Sequence, residues 1–172
     1  EPNLYTYTAK NAEYEYPGRI GFRTVKLVMN GGGADHEPRS FPKGRYPVPI
    51  TVELNGRRIF AKGSNWVNPE LFFGRITDER YYEQLIAAKE ANMNILRLWG
   101  GSGFKKKAFY EYCDEMGLMV WQEFVLACNN YVGTPHSLDI LEQEATAAIC
   151  ELRRHPSIAL WCGGNELFNN WS

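Results

Sequence analysis

Tryptophan stands beside glutamate, asparagine or arginine at the ends of several short apolar segments of this sequence. Four stretches, residues 63–66, 97–101, 121–124 and 161–166, together hold four of the five tryptophans with two glutamates, two asparagines and one arginine. Flat indole rings can cover a ligand with little loss of conformational freedom, and the polar side chains beside them can exchange hydrogen bonds with it. A surface that needs only solubility does not require tryptophan beside carboxylates. The combination therefore favours a ligand-binding site.

These four stretches lie at the ends of predicted strands. Apolar runs predict strands over four segments, residues 59–63, 94–99, 118–124 and 158–162. Helical patterns separate the strands, and strands that alternate with helices pair in parallel, so their carboxyl ends meet at one edge of the sheet. The spacing fits either a doubly wound open sheet or the first half of a (β/α)8 TIM barrel, and in both folds function lies at that edge.

The predicted helices carry start and stop signals as well as apolar faces. Thr77 is expected to cap the first helix, with Tyr82 and Leu85 facing inward. Gly117 is expected to end the second helix. Ser137 is expected to cap the third, longest helix.

The residues before position 55 follow a different pattern, which is typical of an all-β unit. Short strands are predicted over four stretches, residues 4–8, 23–29, 51–54 and 57–60. The Asn55-Gly56 pair is a strong signal for a two-residue hairpin turn. Residues 30–50 are rich in glycine and proline and are predicted to form a loop or insertion. The unit is too short to be a complete sandwich.

Composition argues against several classes of partner. The chain has 172 residues, with 19 Lys and Arg against 20 Asp and Glu, so no net positive charge draws it to nucleic acid. Its apolar runs are too short to span a bilayer. The four cysteines and three histidines lack the spacing of a metal site. The cysteines are expected to act mostly as small buried hydrophobic residues.

A glycine-rich stretch, residues 100–103, leaves a nucleotide-binding alternative open. It follows a predicted strand and precedes a predicted helix, as phosphate-binding loops do. Lys106 stands where the dinucleotide pattern needs its third glycine, however, and the Walker spacing is absent. We therefore favour a glycine-rich connection over a nucleotide-binding open-sheet domain.

Four ordered motifs resemble glycoside hydrolase family 2, of the β-mannosidase type. They are residues 59–66, 92–101, 113–124 and 155–166. Residues 2–6 and 20–25 are similar to the closing strands of the immunoglobulin-like β-sandwich that precedes the barrel in that family. The resemblance implies that residues 1–54 are the C-terminal part of that sandwich. It implies that residues 55–172 are the N-terminal half of a (β/α)8 glycosidase domain.

The resemblance also implies roles for individual residues in a retaining exo-glycosidase. Glu166 matches the general acid/base, and Asn165 matches the neighbour that hydrogen-bonds the 2-hydroxyl region of the sugar. Arg97 matches the arginine that positions the nucleophilic carboxylate, and Trp99 matches an aromatic wall of the sugar subsite. Two further residues are expected, with less defined roles, near the edge of the sheet where the carboxyl ends of the parallel strands meet, which we call the rim. They are Trp66 and Glu123.

The same resemblance implies that the nucleophile, a glutamate on a later strand, lies beyond residue 172. The chain alone is therefore expected to be inactive, with exposed apolar surface that favours self-association. No metal or organic cofactor is required for the reaction. An extracytoplasmic location is expected if the source is bacterial.

Departures from the family pattern leave the specificity open. Phe104 and Lys105 stand where the family usually has a Tyr-Glu pair, and Glu123 replaces a common aspartate. Glu123 is expected either to contact ligand or to form an ion pair with Arg97. Alternatives to a β-mannosidase are an exo-β-glucosaminidase, an endo-β-mannosidase or a non-catalytic carbohydrate-binding protein.

Overall fold

The computed structural model of the protein describes residues 2–30 and 50–167. The described chain divides into two compact units. One unit comprises residues 23–61, and the other comprises residues 2–22 together with residues 62–167. Most of the predicted loop or insertion, residues 31–49, lies outside the described residues.

The smaller unit is a three-stranded antiparallel sheet. Its strands are β3 (Val25–Met29), β4 (Ile50–Leu54) and β5 (Arg57–Ile59), in the order β3-β4-β5. The predicted hairpin turn between the last two is confirmed, with φ angles of 49° at Asn55 and 76° at Gly56. Both values lie in the left-handed region, which Asn and Gly adopt at the lowest cost.

The larger unit begins with a hairpin that the sequence patterns only partly predicted. Strand β1 (Tyr5–Lys10) pairs antiparallel with β2 (Glu15–Ile20). Strand β2 was not among the predicted strands because Pro17 interrupts it, and proline is tolerated in a strand only at an edge or a bulge. The immunoglobulin-like character of residues 1–54 stays a prediction.

The rest of the larger unit is a four-stranded parallel sheet with helical crossovers. Its strands are β6 (Gly63–Trp66), β7 (Ile95–Leu98), β8 (Met119–Glu123) and β9 (Ile158–Cys162), in the order β6-β7-β8-β9. The intervening helices are α1 (Asp78–Glu90), α2 (Lys107–Met116) and α3 (Pro135–Leu152). Sequential parallel strands joined in this way form the architecture of half a (β/α)8 barrel, as predicted.

Three local predictions for this unit were wrong in detail. The strand predicted over residues 59–63 is replaced by β5, which ends at Ile59, and by β6, which begins at Gly63. Thr134, not Ser137, caps α3, and its Oγ1 accepts a hydrogen bond from the Ser137 amide at 3.3 Å. Tyr81, not Tyr82, is buried in α1.

The core lies between the parallel sheet and helices α1 and α2. Its large buried side chains come from both layers and include Tyr81, Leu85, Leu96, Leu98, Phe109, Tyr110, Leu118 and Val120. None of the described helices is both long and apolar enough to cross a membrane. The exposed face of α3 presents Leu138 and Ile140, each about half exposed. Self-association through such residues stays a prediction.

Candidate active site

A buried ion pair lies at the carboxyl ends of two neighbouring strands. Arg97 in β7 donates from Nε to Glu123 Oε1 at 2.7 Å, and its Nη2 is 2.6 Å from the same oxygen. The second carboxylate oxygen of Glu123 accepts a hydrogen bond from the Gly100 amide at 2.8 Å. Glu123 is only 1% exposed. A buried carboxylate is tolerated when both oxygens are bonded in this way, so Glu123 holds the guanidinium in a defined plane.

The remaining donors of Arg97 reach two asparagines on other strand ends. Nη1 donates to Asn65 Oδ1 at 3.1 Å, and Nη2 donates to Asn165 Oδ1. The guanidinium also lies over the ring of Trp121, 5.6 Å from its centroid. One side chain therefore connects the carboxyl ends of β6 and β8 to the segment that follows β9.

Glu166 follows this network directly in sequence. Its backbone is in the left-handed region, with φ of 53°, and its side chain is exposed. The preceding residue is fixed by backbone hydrogen bonds, because the Asn165 amide donates to Leu126 O at 2.9 Å and its carbonyl accepts from the Cys128 amide at 2.8 Å. A parallel bridge joins Ala127 to Asn165. Glu166 is thus an accessible carboxyl group on an ordered backbone.

Trp99 extends from the end of β7 and rests on a glycine. Its amide donates to Trp66 O at 3.3 Å, and its carbonyl accepts from Ser102 Oγ at 2.7 Å. A Cβ atom on Gly101 would lie 2.2 Å from the Trp99 ring. Only glycine leaves this space for the indole, so the loop sequence defines the position of the ring.

The side chain of Trp66 points away from the other predicted site residues, although its carbonyl accepts from the Trp99 amide. It is 7% exposed and packs against Phe109, with ring centroids 4.9 Å apart and an interplanar angle of 65°. Asn65, one residue earlier, bonds Arg97 instead. Because successive side chains of a strand point to opposite faces, Trp66 faces the helices. The structure places it in the core that supports the rim.

Asn65 lies in one of the four predicted strand-end stretches but was given no role, and Cys128 was not among the predicted site residues. The alternation of strand side chains was the signal for Asn65, since only one of residues 65 and 66 can face Arg97. Cys128 was expected to be buried, yet it is exposed and its Sγ is 3.6 Å from Glu166 Oε2. No spacing in the sequence pointed to it, because the contact joins residues 38 positions apart.

The strand end that carries Glu123 is supported from the helix side. Tyr110 Oη donates to Gln122 Oε1 at 2.7 Å, and Gln122 Nε2 donates to the carbonyl of Glu123 at 2.8 Å. Burial raises the pKa of the Tyr110 phenol well above its ordinary value, so the hydroxyl stays a donor. The backbone of Glu123 is therefore held as well as its side chain.

Lys105, one of the departures from the family pattern, is buried beside the Trp99 loop. Its Nζ donates to the carbonyls of Ser102 and Gly103 at 2.7 and 2.6 Å and to Ser102 Oγ at 2.8 Å. Desolvation lowers the pKa of Lys105 to about 7. The ammonium group of Lys105 therefore fixes the glycine-rich loop by bonding the backbone carbonyls of that loop. Within the described part of the chain, no cluster of three or more His, Cys, Asp or Glu side chains could hold a metal ion.

Comparison with known sequences places this geometry in a family context. Beta-mannosidase B from Thermothelomyces thermophilus is 42% identical over 148 residues, which cover 86% of this chain and 16% of that protein. Beta-mannosidase from Capra hircus is 38% identical over 153 residues, covering 89% of this chain and 16% of that protein. The chain thus spans about one sixth of the length of these relatives.

Solved structures show the same fold. Beta-D-mannosidase from Dictyoglomus thermophilum superposes with a TM-score of 0.78 at 38% identity, over 95% of this chain and 20% of that one. A beta-glucuronidase from Parabacteroides merdae gives a TM-score of 0.69 at 22% identity, over 96% of this chain and 19% of that one. Residues 50–170 match the family described as glycosyl hydrolases family 2, TIM barrel domain. The chain therefore belongs to glycosyl hydrolase family 2.

Proposed function

We propose that the protein containing this chain is a retaining glycoside hydrolase that removes terminal β-D-mannosyl units, with Glu166 as its general acid/base. The observation that carries the proposal is the placement of Glu166 directly after Asn165, which bonds the buried Arg97–Glu123 pair. The choice of mannoside rests on the two β-mannosidases that are 42% and 38% identical to this chain.

The proposed chemistry assigns two successive proton transfers to Glu166. In the first step its carboxylic acid gives a proton to the glycosidic oxygen, the bond from that oxygen to the anomeric carbon breaks, and a second carboxylate forms a glycosyl ester. In the second step Glu166 takes a proton from water, which attacks the anomeric carbon and releases the second carboxylate. Because the carboxyl group of Glu166 is exposed at the rim, both the glycosidic oxygen and the attacking water can reach it.

Glu123 is not the proposed nucleophile. Both of its oxygens are occupied, one by Arg97 and one by the Gly100 amide, and solvent does not reach it. A retaining enzyme needs its two carboxyl groups about 5–5.5 Å apart on either side of the sugar. We infer that the nucleophile is a carboxylate outside residues 1–172, and residues 1–172 alone are expected to show no turnover.

Asn165 and Trp99 are the proposed contacts to the sugar. Asn165 Oδ1 accepts from Arg97, and one of its amide hydrogens points to Cys128 Sγ. An amide has two N–H donors, so the second is available to a hydroxyl of the sugar. The Trp99 indole, held over Gly101, supplies a flat apolar surface for a pyranose face.

The proposal is tested with Glu166→Gln in the complete gene product, compared with Glu142→Gln, which makes the same change on the exposed face of α3. For Glu166→Gln, kcat/KM should fall by about 100-fold or more on mannosides with poor leaving groups, since general acid catalysis contributes roughly 10²–10⁴-fold. It should change little on activated aryl mannosides, which depart without a proton. Equal losses on both classes of mannoside would refute the role of Glu166 as general acid. Assay of the wild-type gene product on a panel of aryl β-glycosides tests whether mannose is the preferred sugar.

A further inference from the structure

The thiol of Cys128 lies between Glu166, the proposed general acid/base, and Asn165, a proposed contact to the sugar. Its Sγ donates toward Glu166 Oε2 at 3.6 Å and accepts from Asn165 Nδ2 at 3.2 Å. A thiol can act as a weak donor and a weak acceptor at the same time. Among the hydrogen bonds described for this part of the chain, the contact from Cys128 is the one that reaches the Glu166 carboxyl group.

The backbone holds the thiol in this place. The Cys128 amide donates to Asn165 O at 2.8 Å, and its neighbour Ala127 forms the parallel bridge to Asn165. Ala127 is bonded in turn by Tyr131, whose Oη accepts from the Ala127 amide at 2.9 Å. The segment before α3 and the segment after β9 therefore form one hydrogen-bonded unit with the thiol between them.

Cys128 and Glu166 both have left-handed backbone conformations, with φ of 52° and 53°. For a residue with a Cβ atom this conformation costs about 1–2 kcal/mol, which glycine would avoid. Position 128 nevertheless carries a cysteine and not a glycine, and the cysteine thiol contacts Glu166 and Asn165. Its side chain therefore has a contact that glycine could not make.

We propose that Cys128 is a positioning residue that fixes the rotation of the Glu166 carboxyl group, so that one oxygen is held by the thiol and the other faces the glycosidic oxygen. This inference rests on the proposed role of Glu166 as the acid/base. Without the thiol the carboxyl group rotates freely, and fewer substrate-bound molecules have the proton in line with the leaving group.

The test compares Cys128→Ala, Cys128→Gly and Cys128→Ser in the complete gene product, with Cys150→Ala as the matched control. Cys150 is an exposed cysteine in α3. The Ala and Gly variants should lower kcat/KM about 3- to 10-fold on mannosides with poor leaving groups, as expected for loss of one hydrogen bond to the uncharged carboxylic acid. Activated aryl mannosides should be cleaved within about twofold of wild type, and Cys128→Ser should restore most of the loss.

Each outcome separates positioning from a structural role. Cys128→Gly relieves the backbone strain, so a stable Gly variant with the selective loss supports positioning even if the Ala variant folds poorly. Equal losses on both substrate classes, or no loss in the Gly variant, would overturn the proposal. If Glu166→Gln shows no leaving-group dependence, the proposed function fails. If Glu166→Gln shows it and the Cys128 variants do not, only this inference fails.

Discussion

Arg97 and Glu123 form an ion pair across β7 and β8 in which the carboxylate is almost fully buried, 1% exposed, and the guanidinium is about one-quarter exposed. The pair is therefore asymmetric. Both carboxylate oxygens of Glu123 are occupied by hydrogen bonds within the protein, whereas the guanidinium of Arg97 still reaches the rim. The sequence left two roles open for Glu123, a ligand contact or an ion pair, and the geometry supports the ion pair. Its contribution is to hold the arginine that bonds Asn165.

Replacing Glu123 with Gln should destabilise the protein by about 3 kcal/mol, because removing one member of a buried pair leaves the other without its counter-charge. The free energy of unfolding from urea denaturation measures this. The control is Glu111→Gln, which breaks the surface pair with Lys107 in α2. That exposed pair should be worth about 0.5 kcal/mol or less. Similar losses of unfolding free energy in both variants would show that burial does not make the Arg97–Glu123 pair more important for stability than an exposed pair.

Replacing Gly101 with Ala should weaken sugar binding without affecting proton transfer. The added Cβ would lie 2.2 Å from the Trp99 ring, so the indole must move. We expect KM for an aryl mannoside to rise roughly fivefold, corresponding to about 1 kcal/mol of lost aromatic contact, with kcat nearly unchanged. Gly133→Ala is the control, because a Cβ there has no neighbour within 4 Å. An unchanged KM in Gly101→Ala would remove Trp99 from the proposed subsite.

Lys105 gives a prediction for the dependence of stability on pH. Burial lowers its pKa from 10.5 to about 7, so between these values the unfolded chain binds a proton that the folded protein does not. Stability relative to a Lys105→Met variant should therefore rise as the pH rises from 7 toward 10.5, and should stay at its lowest level below pH 7. The total change should be a few kcal/mol, since one pKa unit corresponds to about 1.4 kcal/mol.

The measurement for Lys105 is the difference in unfolding free energy between wild type and Lys105→Met at several pH values. Groups other than Lys105 contribute equally to both proteins, so their effects cancel in the difference. A difference that is constant from pH 7 to 10, or that falls as pH rises, would show that Nζ keeps its proton in the folded state. The three oxygens around Nζ would then be its permanent acceptors.

The parts of the fold that were predictable are those encoded by local pattern. Asn55-Gly56 predicted its turn because few other residues adopt two consecutive positive φ angles. Thr77 predicted the start of α1, and its Oγ1 accepts from the Arg80 amide at 3.2 Å. Apolar runs predicted the positions of the parallel strands. The run that begins at Ile59, however, predicted the first barrel strand too early, since β6 begins at Gly63.

Tertiary packing decided the parts that were not predictable. Tyr81 and Tyr82 have the same intrinsic preference for burial, and only the position of α2 selects Tyr81, whose ring meets Phe109 at 5.4 Å. The N-cap of α3 is an exception, because Thr134 and Ser137 are both good capping residues and the local sequence itself settles the choice, since Pro135 suits the first turn of a helix. The contact of Cys128 with Glu166 depends on two left-handed residues that no local pattern signalled.

The bonds of Arg97 also bear on the order in which the protein folds. Its partners lie 26, 32 and 68 residues away along the chain. Closing such long loops is costly in entropy and slows folding relative to local contacts. A folding intermediate that lacks β9 would contain Arg97 paired with Glu123 but not with Asn165. The hydrogen-bonded network of Arg97 is therefore completed only when β9 docks, so these bonds should be among the last contacts to form in the four-stranded sheet during refolding.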